Sequence, residues 1–191
     1  MPSKLPEPLR TAAELDAFTG LRRGELIGLQ WQDVDFESLV IHVRRSVVLM
    51  VEGAPNTEAS AKDVPLDSAL AESLKRFRDS STYDQPTDWV FASLRMKGKQ
   101  PWWPETLWRH YGKPAVASAE ISKRVGFHTF LPTYTTLLTQ NNEDVKVVQE
   151  LLRHANSRIT LDLYAQAGMP EKWLAQSKVV KMVLEKKSAV A

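Results

Sequence analysis

The segment from Phe127 to Tyr164 constrains the fold of this chain more than any other stretch. Its apolar residues recur at helical spacing, and polar breaks at 141–142 and 155–156 divide it into short helices. The predicted helices are 129 to about 140, 143 to about 154 and 157 to about 165. The predicted core face consists of Leu137, Leu138, Val145, Val148, Leu151, Leu152, Ile159, Leu161 and Leu163.

Three polar side chains mark the borders of these helices. His128 precedes the first helix, His154 closes the second, and Tyr164 follows ten residues later. This layout would bring two imidazoles and one phenol to a common point. Each residue alone also has a simpler interpretation: Tyr164 as an interfacial aromatic, His154 as a helix C-terminal residue favoured by the dipole, and His128 as a helix cap.

The remainder of the chain predicts an α+β fold that is mainly helical, with a small three-stranded antiparallel sheet. Strand composition is found at 39–43, 46–51 and 63–66, with turn residues at 52–56 and a polar hairpin at roughly 55–62. Further helices are predicted at 9–18, at 21–29, from the cap Asp67 to about 78, from Pro104 onward, and at about 171–186.

Composition narrows the function classes. The 191 residues suffice for one domain, and no run of 18 apolar residues predicts a membrane span. The absence of cysteine excludes disulfides and thiolate metal sites and fits a cytoplasmic protein. The four histidines lack metal-ligand spacing, so no metal is expected, and no nucleotide-binding glycine motif occurs. A small-molecule substrate is not predicted either.

The charge is distributed unevenly along the chain. Residues 1–90 carry ten Lys and Arg against fifteen Asp and Glu, whereas residues 91–191 carry fifteen against eight. A basic half suggests a polyanionic partner, because clustered Lys and Arg release counterions from phosphates. A solvated basic face is the alternative interpretation of the same numbers.

Arg22 stands three residues before Glu25 in a predicted helix that is weakened by Gly24 and Gly28. One interpretation is an ordinary surface ion pair at this spacing. The other is a buried arginine oriented by an acid. The glycines imply either that packing must hold the helix or that another backbone approaches it closely.

Four segments, in order, resemble the tyrosine recombinases of the phage-integrase family. They are Thr19-Gly20-Leu21-Arg22-Arg23-Gly24-Glu25-Leu26 with the following Trp31-Gln32-Asp33-Val34-Asp35, the hairpin 56–66, Phe127-His128-Thr129-Phe130, and Leu151-Leu152-Arg153-His154-Ala155-Asn156 with 159–164. The matches cover about residues 9–166, and four in order are far more specific than one.

The resemblance implies a site-specific recombinase or integrase that cuts and rejoins double-stranded DNA through a 3′-phosphotyrosyl link, without a cofactor. Tyr164 would be the nucleophile and Arg22 would hold the phosphate. His128 would assist proton transfer or bind phosphate, and His154 would donate to an oxygen of the transition state. Glu25 would be a structural support. Lys62, Arg153 and Arg158 are the predicted DNA-binding residues.

Two positions depart from the family pattern. Leu131 occupies the place of an arginine, and Asn56 occupies the place of the hairpin lysine. A lost charge clamp in phosphoryl transfer costs on the order of 10³-fold in rate, so impaired activity is expected. Pro132 follows, and would be tolerated in the first turn of a helix. Lys62 on the same hairpin is a candidate substitute for the lysine.

The resemblance also sets expectations about organisation. Residues 1–191 would be a single catalytic domain, N-terminally truncated, without the core-binding domain, and ending in the helix at about 171–186. That helix could join copies into a homo-oligomer on DNA. The alternative functions are a non-catalytic DNA-binding relic of an integrase and, less favoured, an interaction module that uses the same helix and no DNA.

Overall fold

The computed structural model describes residues 5–55, 57–122, 125–141 and 143–154, together with Arg158, Thr160, Gln176 and Ser177. The helices within these ranges are α1 (Leu9–Thr19), α2 (Arg23–Ile27), α3 (Ser68–Asp79), α4 (Pro104–Leu107), α5 (Lys113–Ser118), α6 (Phe127–Gln140) and α7 (Val145–Leu151). The strands are β1 (Val34–Asp35), β2 (Val40–Ile41), β3 (Ser46–Val48), β4 (Val51–Gly53) and β5 (Val64–Pro65). The predicted α+β, mainly helical class is confirmed.

The first two helices form the base on which the site is built. α1 ends at Gly20, whose φ of +66° is a left-handed conformation that favours glycine at a helix end. The chain then turns into α2, and Leu15, Leu21 and Leu26 on the two sides of this turn are fully buried. The packing of these leucines therefore fixes the orientation of the polar residues at the start of α2.

The small sheet has the predicted number of strands but a different composition. β1, β2 and β5 pair antiparallel, with Val34 opposite Ile41 and Ile41 opposite Val64. The predicted strand 46–51 does not join them. It bends at Leu49 and Met50, with φ of +51° and +62°, and forms a separate β3–β4 ribbon.

The turn predicted at 52–56 was therefore wrong in position, since Glu52 and Gly53 lie in β4. Bulky residues disfavour positive φ, so no local signal marks Leu49 and Met50 as a turn. Packing decides instead, because β3 lies on α2. A Cβ at Gly24 would stand 3.0 Å from the backbone carbonyl oxygen of Val47 and 2.5 Å from Oγ of Ser46, which confirms the close-approach interpretation of that glycine.

The central helices follow their predicted start signals. Oδ1 of Asp67 accepts a hydrogen bond from the Ala69 N–H at 2.8 Å and caps α3. Pro104 begins α4, where its missing N–H leaves no intrahelical bond unmade. α3 packs on α1, and the core between these helices and the sheet includes Leu74 and Phe91, neither of which has exposed surface.

α6 packs along α1 and begins at Phe127, two residues before the predicted start. Pro132 is consequently its sixth residue and lies beyond the first turn, which corrects the predicted placement. A proline at this position removes the N–H that would bond the carbonyl of His128. Leu137, predicted to be in the core, is 48% exposed.

α7 is shorter than its predicted 143–154 span and is capped by Asp144, whose Oδ1 accepts from the Lys146 N–H at 2.7 Å. Arg158 and Thr160 are helical, as the third predicted helix requires; the rest of that helix lies outside the described residues. So does the C-terminal helix predicted at 171–186, apart from Gln176 and Ser177. Within the described segments, no helix has the length and apolarity that crossing a membrane requires.

Candidate active site

Arg22 is held at the start of α2 by three different segments. Its Nη1 donates to Oε1 of Glu25 at 2.9 Å and to Oγ of Ser60 at 2.8 Å, and its Nη2 donates to the carbonyl of Arg153 at 3.2 Å. The side chain remains 34% exposed. A guanidinium fixed in this way is oriented from within the protein and still reaches solvent.

Glu25 is the centre of this arrangement. Its side chain is 2% exposed, and Oε2 accepts both from the Arg22 backbone N–H at 2.9 Å and from Nη2 of Arg153 at 2.5 Å. One buried carboxylate thus pairs with two guanidinium groups. Of the two interpretations of the Arg22–Glu25 spacing, the structure supports an arginine oriented by an acid, but the buried member of the pair is Glu25 and not Arg22.

The side chain of Arg153 is buried, whereas its predicted DNA-binding role requires an exposed side chain. Its side chain is 1% exposed, its φ is +52°, and it donates to the carbonyls of Ser60 at 3.0 Å and Gly20 at 3.1 Å. Burial lowers its pKa, the Glu25 carboxylate opposes that shift, and Arg22 adds to it. Because the guanidinium faces inward, the structure contradicts an exposed DNA-contacting position for this side chain.

The other two predicted DNA-binding residues do reach solvent. The Lys62 side chain is 57% exposed, and its Nζ lies 3.7 Å from Oε2 of Glu150. Arg158 is also exposed. Their binding role stays a prediction.

His154 follows Arg153 and lies beside the same cluster. Its backbone N–H donates to the carbonyl of Gln149 at 3.1 Å, and its ring Nδ1 lies 3.0 Å from Oγ1 of Thr160. Burial lowers the pKa of His154 below 6.5, and the positive charge of Arg22 lowers it further. The imidazole is therefore neutral at neutral pH.

His128 stands in a separate, more open part of the site. It is exposed on the second position of α6 and lines a cleft of about 830 Å³ whose basic residues are Arg23, Arg109 and Lys113. Within the described ranges it has no hydrogen bond to Arg22 or His154. The two parts are adjacent along the chain, because Arg23 of the cleft directly follows Arg22.

Aromatic packing fixes the start of α6 and with it the position of His128. The Trp108 ring meets the rings of Phe127 and Phe130 edge-on, with centroids 5.6 and 6.3 Å away. The chain from 108 to 112 forms a π-helical turn, in which the Lys113 N–H bonds the carbonyl of Trp108. A Cβ on Gly112 would come within 2.5 Å of the indole ring, so the turn requires glycine there.

The sequence analysis did not predict this turn, although Pro114 is a signal for it. Proline has no N–H for the carbonyl four residues earlier, so the regular helical ladder cannot continue through this point. The roles of Ser60 and Thr160 were also missed. Both are small hydroxyl residues, and their partners stand 38 and 6 positions away in the sequence, so no local pattern indicates them.

Leu131, at the position where the family pattern has arginine, is half-buried in α6, and its carbonyl accepts from the Thr135 hydroxyl at 2.9 Å. Its side chain brings no charge to the site. Tyr164 and Asn56 lie outside the described residues. In the described part of the chain, no cluster of three or more His, Asp or Glu side chains could hold a metal ion.

The sequence matches the phage integrase family over residues 2–170. The chain belongs to this family. Among its relatives, a tyrosine recombinase XerC-like protein of Caldanaerobacter subterraneus is 30% identical over 179 residues, which cover 81% of this chain and 44% of that protein. A tyrosine recombinase of Thermosipho africanus is 32% identical over 170 residues, covering 89% and 53%.

The fold of this family member is also that of solved integrases. The Tn1549 transposon integrase, in complex with circular intermediate DNA, aligns with a TM-score of 0.76 at 22% identity, covering 92% of this chain and 61% of that chain. The resemblance and the fold predicted from sequence are confirmed. The chain spans about half the length of the curated relatives it matches.

Proposed function

We propose that this chain is the catalytic domain of a tyrosine-type DNA recombinase with reduced activity. The observation that carries the proposal is the Arg22 guanidinium, oriented by Glu25, Ser60 and the Arg153 carbonyl and left one-third exposed beside His154. Planar guanidinium groups bind two phosphate oxygens at once, which suits this position to a DNA phosphodiester.

In the proposed reaction, the phenolic oxygen of Tyr164 attacks the phosphorus and the bond to the 5′-oxygen breaks. The DNA 3′ end becomes a phosphotyrosyl ester, the tyrosine loses its proton, and the departing 5′-oxygen gains one. The reverse attack by a 5′-hydroxyl rejoins a strand and restores the enzyme, so the bonds balance without an external energy source. Arg22 neutralises charge on the non-bridging oxygens, and His154 and His128 supply hydrogen bonds.

Two missing cations support reduced activity. Leu131 and Asn56 offer no charge to the phosphate or the leaving oxygen, and a lost clamp of this kind costs on the order of 10³-fold in rate. The same residues favour a second function, a DNA-binding relic that occupies recombination sites without cutting them. Both functions have double-stranded DNA as the partner and a cytoplasmic location, and assembly of copies through the 171–186 helix belongs to the first.

The test uses the full 191-residue chain and a library of nicked duplexes with randomised sequence, from which covalent protein–DNA adducts are recovered under denaturing conditions. We expect a small adduct yield that Tyr164→Phe abolishes and that the double variant Leu131→Arg with Asn56→Lys raises by at least about tenfold. Salt-dependent DNA binding without any adduct, in both proteins, would overturn the catalytic proposal and support the relic.

A further inference from the structure

The ring of His154 has one described side-chain partner, and that partner is a hydroxyl. Oγ1 of Thr160 lies 3.0 Å from Nδ1, and Thr160 has no exposed surface. The contact is therefore part-buried, with the hydroxyl on its buried side. No described residue has a hydrogen bond to the second ring nitrogen, Nε2.

The hydrogen-bonding capacity of the Nδ1 partner limits which ring nitrogen of His154 can carry the proton. A carboxylate or carbonyl only accepts, so it holds the proton on Nδ1 and leaves Nε2 as an acceptor. A carboxylate would also raise the pKa of the imidazole. A hydroxyl can donate to Nδ1, which allows a neutral imidazole to keep its proton on Nε2.

The charges around His154 favour this second arrangement. Burial lowers the pKa of His154, and the positive charge of Arg22 lowers it further, so both favour the neutral ring. Glu25 is engaged by Arg22 and Arg153, and Arg158, two residues before Thr160, is exposed. A site with a guanidinium that is one-third exposed attracts an anion, and a neutral imidazole stabilises an anion only through an N–H.

We propose that Thr160 is a positioning residue that donates its hydroxyl hydrogen to Nδ1 of His154 and so keeps the imidazole proton on Nε2. The tautomer part of the proposal rests on the Thr160 contact and on the charges around His154. The purpose of that tautomer, a hydrogen bond from Nε2 to a phosphoryl oxygen of DNA, rests on the proposed function. The two statements are separated by measuring the tautomer without DNA.

The first measurement is long-range ¹H–¹⁵N NMR on the ¹⁵N-labelled full chain, with the His154 signals assigned by their loss in His154→Gln. We expect wild type to show one neutral tautomer at neutral pH, with the proton on Nε2. Thr160→Val should give a mixture of tautomers, and Thr160→Ser should restore the wild-type pattern.

A matched control comes from α6. Thr135 is buried and its hydroxyl donates to a backbone carbonyl within the helix, so Thr135→Val removes a buried hydroxyl without touching His154. The control should leave the His154 signals unchanged. A wild-type protein protonated on Nδ1, which needs no variant to observe, overturns the proposal, and so does an unchanged tautomer in folded Thr160→Val.

The second measurement is the rate of covalent adduct formation against pH. Above the pKa of His154, Thr160→Val should react more slowly than wild type, by the factor by which the population of the Nε2-protonated tautomer falls in the NMR measurement. The deficit should vanish as pH falls through that pKa, because a doubly protonated imidazole carries a proton on Nε2 in either protein.

A deficit that is constant across pH would mean that Thr160 only supports the fold, and would overturn its positioning role. If wild type forms no adduct at any pH, the proposed function fails. The NMR result still decides the tautomer in that case.

Discussion

The candidate site has two halves, and a different kind of interaction stabilises each of them. The arginine cluster, formed by Arg22, Glu25, Ser60 and Arg153, joins α2, the 58–61 turn and the end of α7 through buried ion pairs and hydrogen bonds. The aromatic wall, formed by Trp108, Gly112, Phe127 and Phe130, fixes the start of α6 through ring packing.

The difference shows which half depends on charge. In the arginine cluster, removing one partner leaves a buried ion unpaired, so the residues depend on one another. The aromatic wall places α6 without using any charged group. An uncharged Leu131 is therefore compatible with an intact α6.

We expect the largest effect from Glu25→Gln, which leaves the buried Arg153 guanidinium without a carboxylate. We expect the free energy of unfolding in urea to fall by about 3–5 kcal/mol. The control is Glu105→Gln, which removes the partner of Arg23 from a pair whose side chains are 57% and 56% exposed. That change should cost less than about 1 kcal/mol, and equal losses would mean that the cluster is not a buried unit.

Asp16 lies in α1, the helix that packs on α6, and its carboxyl group gives a second test of charge burial. Burial raises its pKa from 3.8 to about 8, Arg23 opposes the shift, and its Oδ2 has no hydrogen-bond partner among the described residues. The folded protein thus holds a proton that the unfolded chain releases. Stability from this group is complete below pH 3.8 and is lost as pH rises through about 8.

Asp16→Asn should remove this dependence, because the amide is neutral throughout. We expect the variant to exceed wild type at pH 9 by about 2–4 kcal/mol in the free energy of unfolding and to differ little at pH 4. Asp79→Asn, at the exposed end of α3, is the control and should leave the pH slope unchanged. A wild-type slope in Asp16→Asn would show that this carboxyl is ionised in the fold.

Gly112→Ala tests the packing of the aromatic wall. Its Cβ would meet the Trp108 ring, which is locked against Phe127 and Phe130, and overpacking should cost about 1–3 kcal/mol by thermal or urea unfolding. Gly53→Ala has open space at its Cβ and should change stability by less than about 0.5 kcal/mol. Tolerance of both changes would remove the aromatic wall as the support of α6.

Local signals were enough for much of the fold. The Asp67 cap, the Pro104 start and the end of α1 before Gly20 all depend on residues within one helical turn of each other, and all three agree with the structure. The β3–β4 turn at Leu49 and Met50 was missed, because its conformation opposes local preference. Packing of β3 on α2 sets this turn, and Gly24 is the one residue in the sequence that indicated such packing.

The candidate site divides in the same way. Arg22, Glu25 and His154 were found from spacing and from the family resemblance, both of which are properties of the sequence. The inward turn of Arg153, the role of Ser60 and the contact between His154 and Thr160 were decided by tertiary structure.

Family membership and the order of the helices thus follow from the sequence. The sharing of one carboxylate between two arginines and the burial of Arg153 depend on how the folded chain brings distant segments together. The physical reason is range: helix caps and turns are set by neighbours a few residues apart, whereas Arg22 and Arg153 are separated by 131 positions. The low dielectric of the interior makes the pairing of Arg153 with Glu25 obligatory only after folding has removed the water around both side chains.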